Sequence, residues 1–173
     1  MELSTDPQPS AVAIRGLLNR KDLAAARHRA ALADVLGVTE TELIAIAHLA
    51  QHGELTPTGL GRLLALSSAG ATAVVQRLER TGFVERAPHP SDGRSAVLRL
   101  SAEGAGRAEA AMAPLVEDLD RIAAALEPAS RRAVGAFLRE VAEVSERHAA
   151  HLRDEAGLAG TALASAPVPG LWA

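Results

Sequence analysis

The segment from Leu55 to Gly104 constrains the fold of this chain more than any other part of it. Thr56-Pro57 supplies an N-cap residue followed by proline at a first helical position, so one short helix is predicted to begin there. Ser67-Ser68 opens a second helix in the same way, and Gly82 ends it. Two helices separated by only a short turn are therefore predicted in this segment.

A charged hairpin follows the second of these helices. Residues 83–87 and 96–100 are predicted to form short strands, joined by a run of turn-forming residues that includes Asp92-Gly93. Arg94 comes directly after that turn. Helix, turn, helix and charged hairpin, in this order, are typical of a winged helix-turn-helix lobe, a shape that presents one helix to the major groove of DNA.

Helices are also predicted on both sides of this lobe. One runs from about Ser10 to Leu36, and the capping box Thr39–Glu42 begins another that Gly53 ends. After the hairpin, Ser101 caps a fifth helix, whose apolar positions alternate in steps of four and three at 108, 112, 115, 119, 122 and 126. A sixth helix is predicted from about 129 to 152, after the break at Glu127-Pro128.

The long helices present more apolar surface than an antiparallel pair can bury, although they could simply pack against each other. A two-fold homodimer is the arrangement that we expect, because each chain then covers the apolar helix surface of the other. The predicted fold is mostly α with a small β-hairpin wing. Its regions are a winged helix-turn-helix DNA-binding domain over 37–103, a helical dimerisation region formed by 10–36 and 104–153, a flexible N-terminus over 1–9 and a disordered tail over 154–173.

Charge and composition narrow the function. The net charge is −3, but residues 55–107 hold seven arginines against four acids, so the centre of the chain is basic and the remainder acidic. Chance segregation of surface charge would give the same numbers. The absence of cysteine excludes disulfides and thiol-based redox sensing. No apolar stretch approaches the length of a membrane span, so we expect a cytoplasmic protein without membrane association.

The sequence between Leu36 and Gly104 resembles the MarR family of winged-helix transcription regulators. The resemblance is carried by LSSAGAT with Thr72, by QRLERTGFVER from Gln76 to Arg86, by Asp92-x-Arg94, and by LRLSAEG leading into the long helix. None of these motifs is specific alone, but their order and spacing together are.

The resemblance implies a set of DNA-binding residues: Ser67, Ser68, Thr72, Gln76, Arg77, Arg86 and Arg94. Hydroxyl residues at a helix N-terminus allow the backbone donors to approach phosphates, and Gln and Arg side chains reach base edges. Arg94 suits the minor groove, with Asp92 supporting the turn. The alternative for Arg77 and Arg80 is an ion pair with Glu79 or another neighbour; we expect DNA contact for Arg77 and the ion pair for Arg80. Arg86 fits a phosphate contact or a salt bridge equally well.

The resulting hypothesis is a ligand-responsive homodimeric repressor that binds a pseudo-palindromic operator in double-stranded DNA. A small aromatic or phenolic effector would release it. The alternative is a helical dimerisation adaptor whose winged domain binds protein. No catalytic motif, cofactor motif or strong metal-ligand spacing is present, so neither an enzyme nor a cofactor is expected. His148 and His151 are interpreted as surface residues rather than metal ligands, and His28 and His48 as core residues with a partner.

Overall fold

The computed structural model of the chain describes residues 9–88 and 96–155, apart from the side chain of Arg153. In this part of the chain the elements are α1 Ala11–Leu36, α2 Glu40–His52, α3 Pro57–Leu63, α4 Ser68–Arg80, β1 Val84–Pro88, β2 Ala96–Leu100, α5 Ala102–Ala124 and α6 Pro128–Glu155. The two strands pair antiparallel, with Val84 opposite Leu100 and Pro88 opposite Ala96. The predicted fold class, mostly helical with one small hairpin, is confirmed.

The starts of α2, α3, α4 and α5 follow the capping residues that the sequence predicts, and Ser10 caps α1 in the same way. In each case a hydroxyl oxygen accepts a hydrogen bond from the backbone N–H three residues further on, which satisfies a donor that the first helical turn leaves without a partner. The caps are Ser10, Thr39, Thr56, Ser67 and Ser101, with donor-to-acceptor distances of 2.8–3.2 Å. At Thr39 the predicted capping box is complete, because the Glu42 carboxylate accepts from the Thr39 N–H in return.

Two elements, β1 and α6, have bounds that differ from the prediction, and each begins where it does for a local reason. β1 begins one residue late because the Phe83 N–H donates to the Leu78 carbonyl and closes α4, with Gly82 in the left-handed region at φ 75°. α6 begins at Pro128, where proline is tolerated at a first helical position, and it continues to Glu155. α6 therefore extends three residues beyond its predicted end at residue 152 and includes the first two residues assigned to the tail.

The hydrophobic core lies in the winged lobe and at the ends of α1 and α5 that join it. Its fully buried members come from α2, α3, α4 and the hairpin: Ile46, Leu49, Leu60, Val75, Leu78, Phe83 and Leu98. α1 contributes only its last turn or two, and α5 contributes Ala108 and Met112. No residue described in α6 is buried. Most of the length of the long helices therefore has no core to pack against within one chain.

Within the described residues no single helix is long and apolar enough to cross a membrane. α3 and α4 taken together reach the length and composition required, but they are bent by 108° where they meet.

Gly104 marks the closest approach of α5 to the hairpin, and it gives a first testable prediction. A Cβ at this position would lie 2.6 Å from the Phe83 Cα and 2.7 Å from its carbonyl oxygen. Gly104→Ala should therefore lower the free energy of unfolding by about 1–3 kcal/mol, even though alanine favours helix by about 1 kcal/mol.

Gly106→Ala is the matched control on the same helix. A Cβ there meets nothing within 4 Å, so this substitution should raise the free energy of unfolding by up to about 1 kcal/mol. Urea unfolding of the two variants at equal protein concentration measures both. Effects of the same sign would show that the contact between α5 and Phe83 is not as close as described.

Candidate nucleic-acid interface

The second helix of the helix-turn-helix, α4, has one buried face and one exposed face. Ala71, Val74, Val75 and Leu78 are turned into the core. With about 100° between successive residues, the opposite face carries the exposed residues Ser68, Ala69, Thr72, Gln76 and Arg80. Glu79 is the acidic residue of α4; it lies beside Ser68 and Thr72, is 29% exposed and is paired with Arg86, which compensates its charge.

The crossing of α3 and α4 depends on a small residue. Gly61 is buried, and a Cβ there would lie 2.9 Å from the Cβ of Ala71. The glycine therefore allows the two helices to approach closely at their bend.

The hydroxyl groups at the start of α4 are mostly used within the helix. Ser67 Oγ accepts from the Gly70 N–H at 3.2 Å, and the Thr72 hydroxyl donates to the Ser68 carbonyl at 2.8 Å. Both interactions define the first turns of the helix, where backbone N–H groups and the positive end of the helix dipole favour an anion. Ser67, Ser68 and Thr72 therefore lie where the prediction needs them, at the exposed N-terminal end of α4.

Arg77 lies in a different environment from the one expected. Its Nε donates to the carboxylate of Glu42 on α2. The Glu42 side chain is 5% exposed, and the Arg77 side chain is 41% exposed. The alternative weighed for this residue, an ion pair with a neighbour, is what the structure has. The partner is Glu42 rather than Glu79, and it lies 35 positions away in the sequence.

Arg80 shows the opposite discrepancy. It was expected to form an ion pair, but it is exposed and has no ion-pair partner in the described ranges. It lies on the solvent face of α4, one turn beyond Gln76. Arg77 therefore has the ion pair that was expected for Arg80, and Arg80 has the exposed position that was expected for Arg77. The sequence did not establish which side of α4 faces α2.

Glu42 holds two partners at once, and this changes its acidity. Burial raises its pKa, but the hydrogen bonds from the Thr39 N–H, from Arg77 and from the Thr39 side chain outweigh burial and leave the pKa below its ordinary value. The carboxylate is therefore charged at neutral pH, as the pairing with Arg77 requires.

The base of the hairpin is braced by two further ion pairs. Arg86 Nε donates to Glu79 at 2.6 Å, and Arg99 Nε donates to Glu85 at 2.7 Å. Of the two interpretations left open for Arg86, the structure has the salt bridge. Asp92 and Arg94, the predicted residues of the wing tip, lie outside the described residues.

Arg107 was not identified by the sequence, and it connects three elements. From α5 it donates to the Thr81 carbonyl at 3.0 Å and to the Leu36 carbonyl at 3.2 Å, so it binds the C-terminal ends of α4 and α1. Its guanidinium also lies 4.3 Å from the centre of the Phe83 ring. Several arginines of the basic centre are thus committed to the protein itself, so its freely available positive charge is smaller than the sequence count.

A groove of about 600 Å³ runs between the α1–α2 corner and the C-terminal half of α4. Its polar lining comes from Asp34, Glu42, Arg77 and Arg80, and its apolar lining includes Ala33 and Val38. The Glu42–Arg77 pair is therefore accessible from one side, which agrees with the partial exposure of Arg77.

The histidines were expected to be core or surface residues. His48 is 3% exposed, as predicted, but neither ring nitrogen has a hydrogen-bond partner among the described residues, so the expected partner is missing. Burial, and to a smaller extent the neighbouring His52, lower the pKa of His48. His151 is exposed and lies 3.3 Å from Glu155, and in the described ranges no group of three or more potential ligands is arranged to hold a metal ion.

Comparison with known proteins agrees with this geometry. Residues 36–95 match a family model described as MarR family. An HTH-type transcriptional regulator of Mycobacterium bovis is 38% identical over 74 residues, which cover 43% of this chain and 52% of that protein. The multiple antibiotic resistance protein MarR of Salmonella typhimurium is 30% identical over 74 residues, covering 43% and 51% of the two chains. The chain thus spans about half the length of the curated relatives it matches.

Solved structures extend the likeness of the fold beyond the winged lobe. RV1404 of Mycobacterium tuberculosis has a TM-score of 0.62 at 24% identity, over 83% of this chain and 95% of that one. MepR of S. aureus, as a mutant bound to an oligodeoxyribonucleotide, has a TM-score of 0.54 at 17% identity, over 74% of this chain and 94% of that one. NadR in complex with 4-hydroxyphenylacetate has a TM-score of 0.53 at 24% identity, over 80% of this chain and 97% of that one. Residues 36–95 of this chain thus match the MarR family, and the described residues share the fold of these solved structures.

Proposed function

We propose that this chain is a cytoplasmic transcriptional repressor that binds an operator in double-stranded DNA as a homodimer. The observation that carries the proposal is the solvent face of α4, which exposes Gln76 and Arg80 next to the N-terminal hydroxyl residues, while Glu79 is paired with Arg86. Gln and Arg are the side chains that pair with adenine and guanine edges in the major groove. A related MarR-type protein, MepR, is known bound to an oligodeoxyribonucleotide.

In this proposal α4 enters the major groove with Gln76 towards the bases and Arg80 on bases or phosphate. Ser67, Ser68 and Thr72 lie close to the backbone. The wing adds Arg94 in the adjacent minor groove, with Asp92 fixing the turn; this part rests on the sequence alone. Arg77 and Arg86 support the interface through Glu42 and Glu79.

The homodimer is supported by the surface of the long helices. Large apolar side chains that are 40–61% exposed lie on α5 and α6: Leu119, Ile122, Val134, Phe137 and Leu138. Such a surface is too extensive for an isolated soluble helix pair, and a second copy related by a two-fold axis would cover it. Residues 10–36 and 104–153 would then form the dimerisation region, and the lobe over 37–103 would carry the DNA interface.

A small-molecule effector would act by changing the spacing of the two lobes. It must bind the spacing that does not fit DNA better than the one that does. NadR is known in complex with 4-hydroxyphenylacetate, and we propose an aromatic or phenolic effector for this chain as well. Thiol oxidation cannot be the trigger, because the sequence has no cysteine.

Selection by binding tests the proposal. Random-sequence duplexes and fragments of the source genome would be incubated with the full chain, and the retained DNA sequenced. We expect an enriched sequence with two-fold symmetry and half-sites about one helical turn apart. Absence of enrichment, together with retention of a protein from the same cells, would favour the dimerisation adaptor instead.

A further inference from the structure

We infer that Glu42 and Arg77 act together as positioning residues that set the orientation of α4 on DNA, so that Arg77 influences recognition through Glu42 rather than by touching DNA. This inference rests on the proposed function and assigns the regulation of that same interface. It concerns a buried carboxylate that the known properties of a DNA-reading helix do not require.

The first support is that Glu42 is fully committed. It is 4% exposed, one carboxylate oxygen accepts from the Thr39 N–H at 2.8 Å, and the other accepts from Arg77 Nε. A buried carboxylate without such partners is strongly unfavourable. The directions of both hydrogen bonds are therefore fixed, and Arg77 Nε cannot move to a phosphate without leaving the Glu42 carboxylate buried with one partner fewer.

The second support is the position of the pair between two parts of the fold. Glu42 and Thr39 lie in the first turn of α2, only a few residues after the end of α1, which belongs to the proposed dimerisation region. Arg77 lies on α4, next in sequence to Gln76. The pair thus joins the last turn of the proposed base-reading helix to the first turn of α2, close to the corner where α1 ends.

The buried residues Ala71, Val74, Val75 and Leu78 limit the rotation of α4, and the pair with Glu42 adds a directional polar contact to this packing. Near its N-terminal end α4 packs on α3 through Ala71 against Gly61, and at its C-terminal end the Thr81 carbonyl is bound by Arg107. Gln76 and Arg80 lie beside Arg77 on the last two turns of α4. A small rotation about the helix axis therefore displaces the tips of their side chains, and misplacements of about 1 Å are costly in a preorganised site.

The direction in which Glu42→Gln changes DNA affinity distinguishes this inference from a purely electrostatic effect. Glu42→Gln keeps an oxygen for the Thr39 N–H but presents an amide N–H₂ to Arg77, so the pair is lost while the cap is kept. Removal of an acid near DNA should tighten binding if only charge matters. Positioning predicts the opposite, a loss of about tenfold in affinity for the selected duplex, equivalent to about 1.4 kcal/mol.

The experiment is a double-mutant cycle on the selected duplex with E42Q, R77M and the double variant, each checked for folding by circular dichroism. We expect each single substitution to weaken binding by about tenfold and the double variant to be no weaker than either, because both remove the same contact. The salt dependence of R77M should keep the slope of the parent. The exposed pair Glu85–Arg99 supplies the control: E85Q removes the same charge from the same lobe, and should leave affinity unchanged or increase it.

The outcomes are distinct. If E42Q binds as tightly as the parent, and R77M lowers the salt slope by about 0.9 unit, Arg77 is a phosphate contact and the inference is wrong while the proposed function stands. The same holds if the two single effects add in the double variant. If the parent selects no duplex, the proposed function and this inference fail together.

Discussion

Replacing Ile122 with Glu should convert a stable dimer into monomers at micromolar concentration and abolish high-affinity DNA binding. Ile122 is 61% exposed and Leu119 is 48% exposed in the single chain, on the predicted seam of α5. If a second copy covers this seam, a carboxylate at position 122 is buried without a partner, which costs several kcal/mol. Because two linked lobes gain about 10²–10⁴ in avidity over one, a monomer should lose at least about 100-fold in affinity for a two-half-site duplex.

Sedimentation equilibrium measures the assembly. The parent should have twice the chain mass of 17.9 kDa, and I122E should have the chain mass itself. Ala113→Glu is the matched control, since it places the same acid on an exposed position of the same helix, away from the seam. A113E should remain dimeric. A monomeric parent, or a dimeric I122E, would show that the seam of α5 is not a dimer contact.

Gln76→Ala and Arg80→Ala should weaken DNA binding in different ways. If Gln76 reads a base edge, its loss should cost about 1–3 kcal/mol on the selected duplex and little on a scrambled one. Arg80 is exposed and has no ion-pair partner within residues 9–88 and 96–155, so its loss should weaken binding to both duplexes. If it neutralises a phosphate, the loss should also lower the slope of log affinity against log salt by about 0.9 unit.

Titrations at several salt concentrations on both duplexes distinguish the two roles. Arg139→Ala removes one positive charge from an exposed position on α6 and should change neither quantity by a comparable amount. Should both Q76A and R80A bind the selected duplex like the parent, α4 is not the reading helix.

The fold was largely predictable because its signals are local. Hydroxyl caps at Thr39, Thr56, Ser67 and Ser101 lie within a few residues of the bonds they make, so the starts of α2, α3, α4 and α5 followed from the sequence. The bounds of β1 did not follow from the sequence, because the Phe83 N–H donates to the Leu78 carbonyl at the end of α4. This hydrogen bond depends on the left-handed conformation of Gly82 rather than on strand propensity.

The candidate site was less predictable because its contacts are not local. The composition of α4 indicated a basic helix with Gln and Arg, but the bond from Arg77 to Glu42 joins residues 35 positions apart. Only the rotation of α4 against α2 decides that Arg77 faces Glu42 and Arg80 faces solvent. The same applies to Arg107, whose acceptors at Leu36 and Thr81 lie 71 and 26 positions away.

Sequence-specific DNA binding by the dimer is best tested by one comparison. The affinity of the unmodified full chain for its selected duplex is measured against that for a scrambled duplex of the same length, at the same salt concentration. We expect a specific complex of one dimer per duplex, with an affinity at least about 10³-fold higher than for the scrambled duplex. Equal affinities for the two duplexes, or no binding to either, would contradict it.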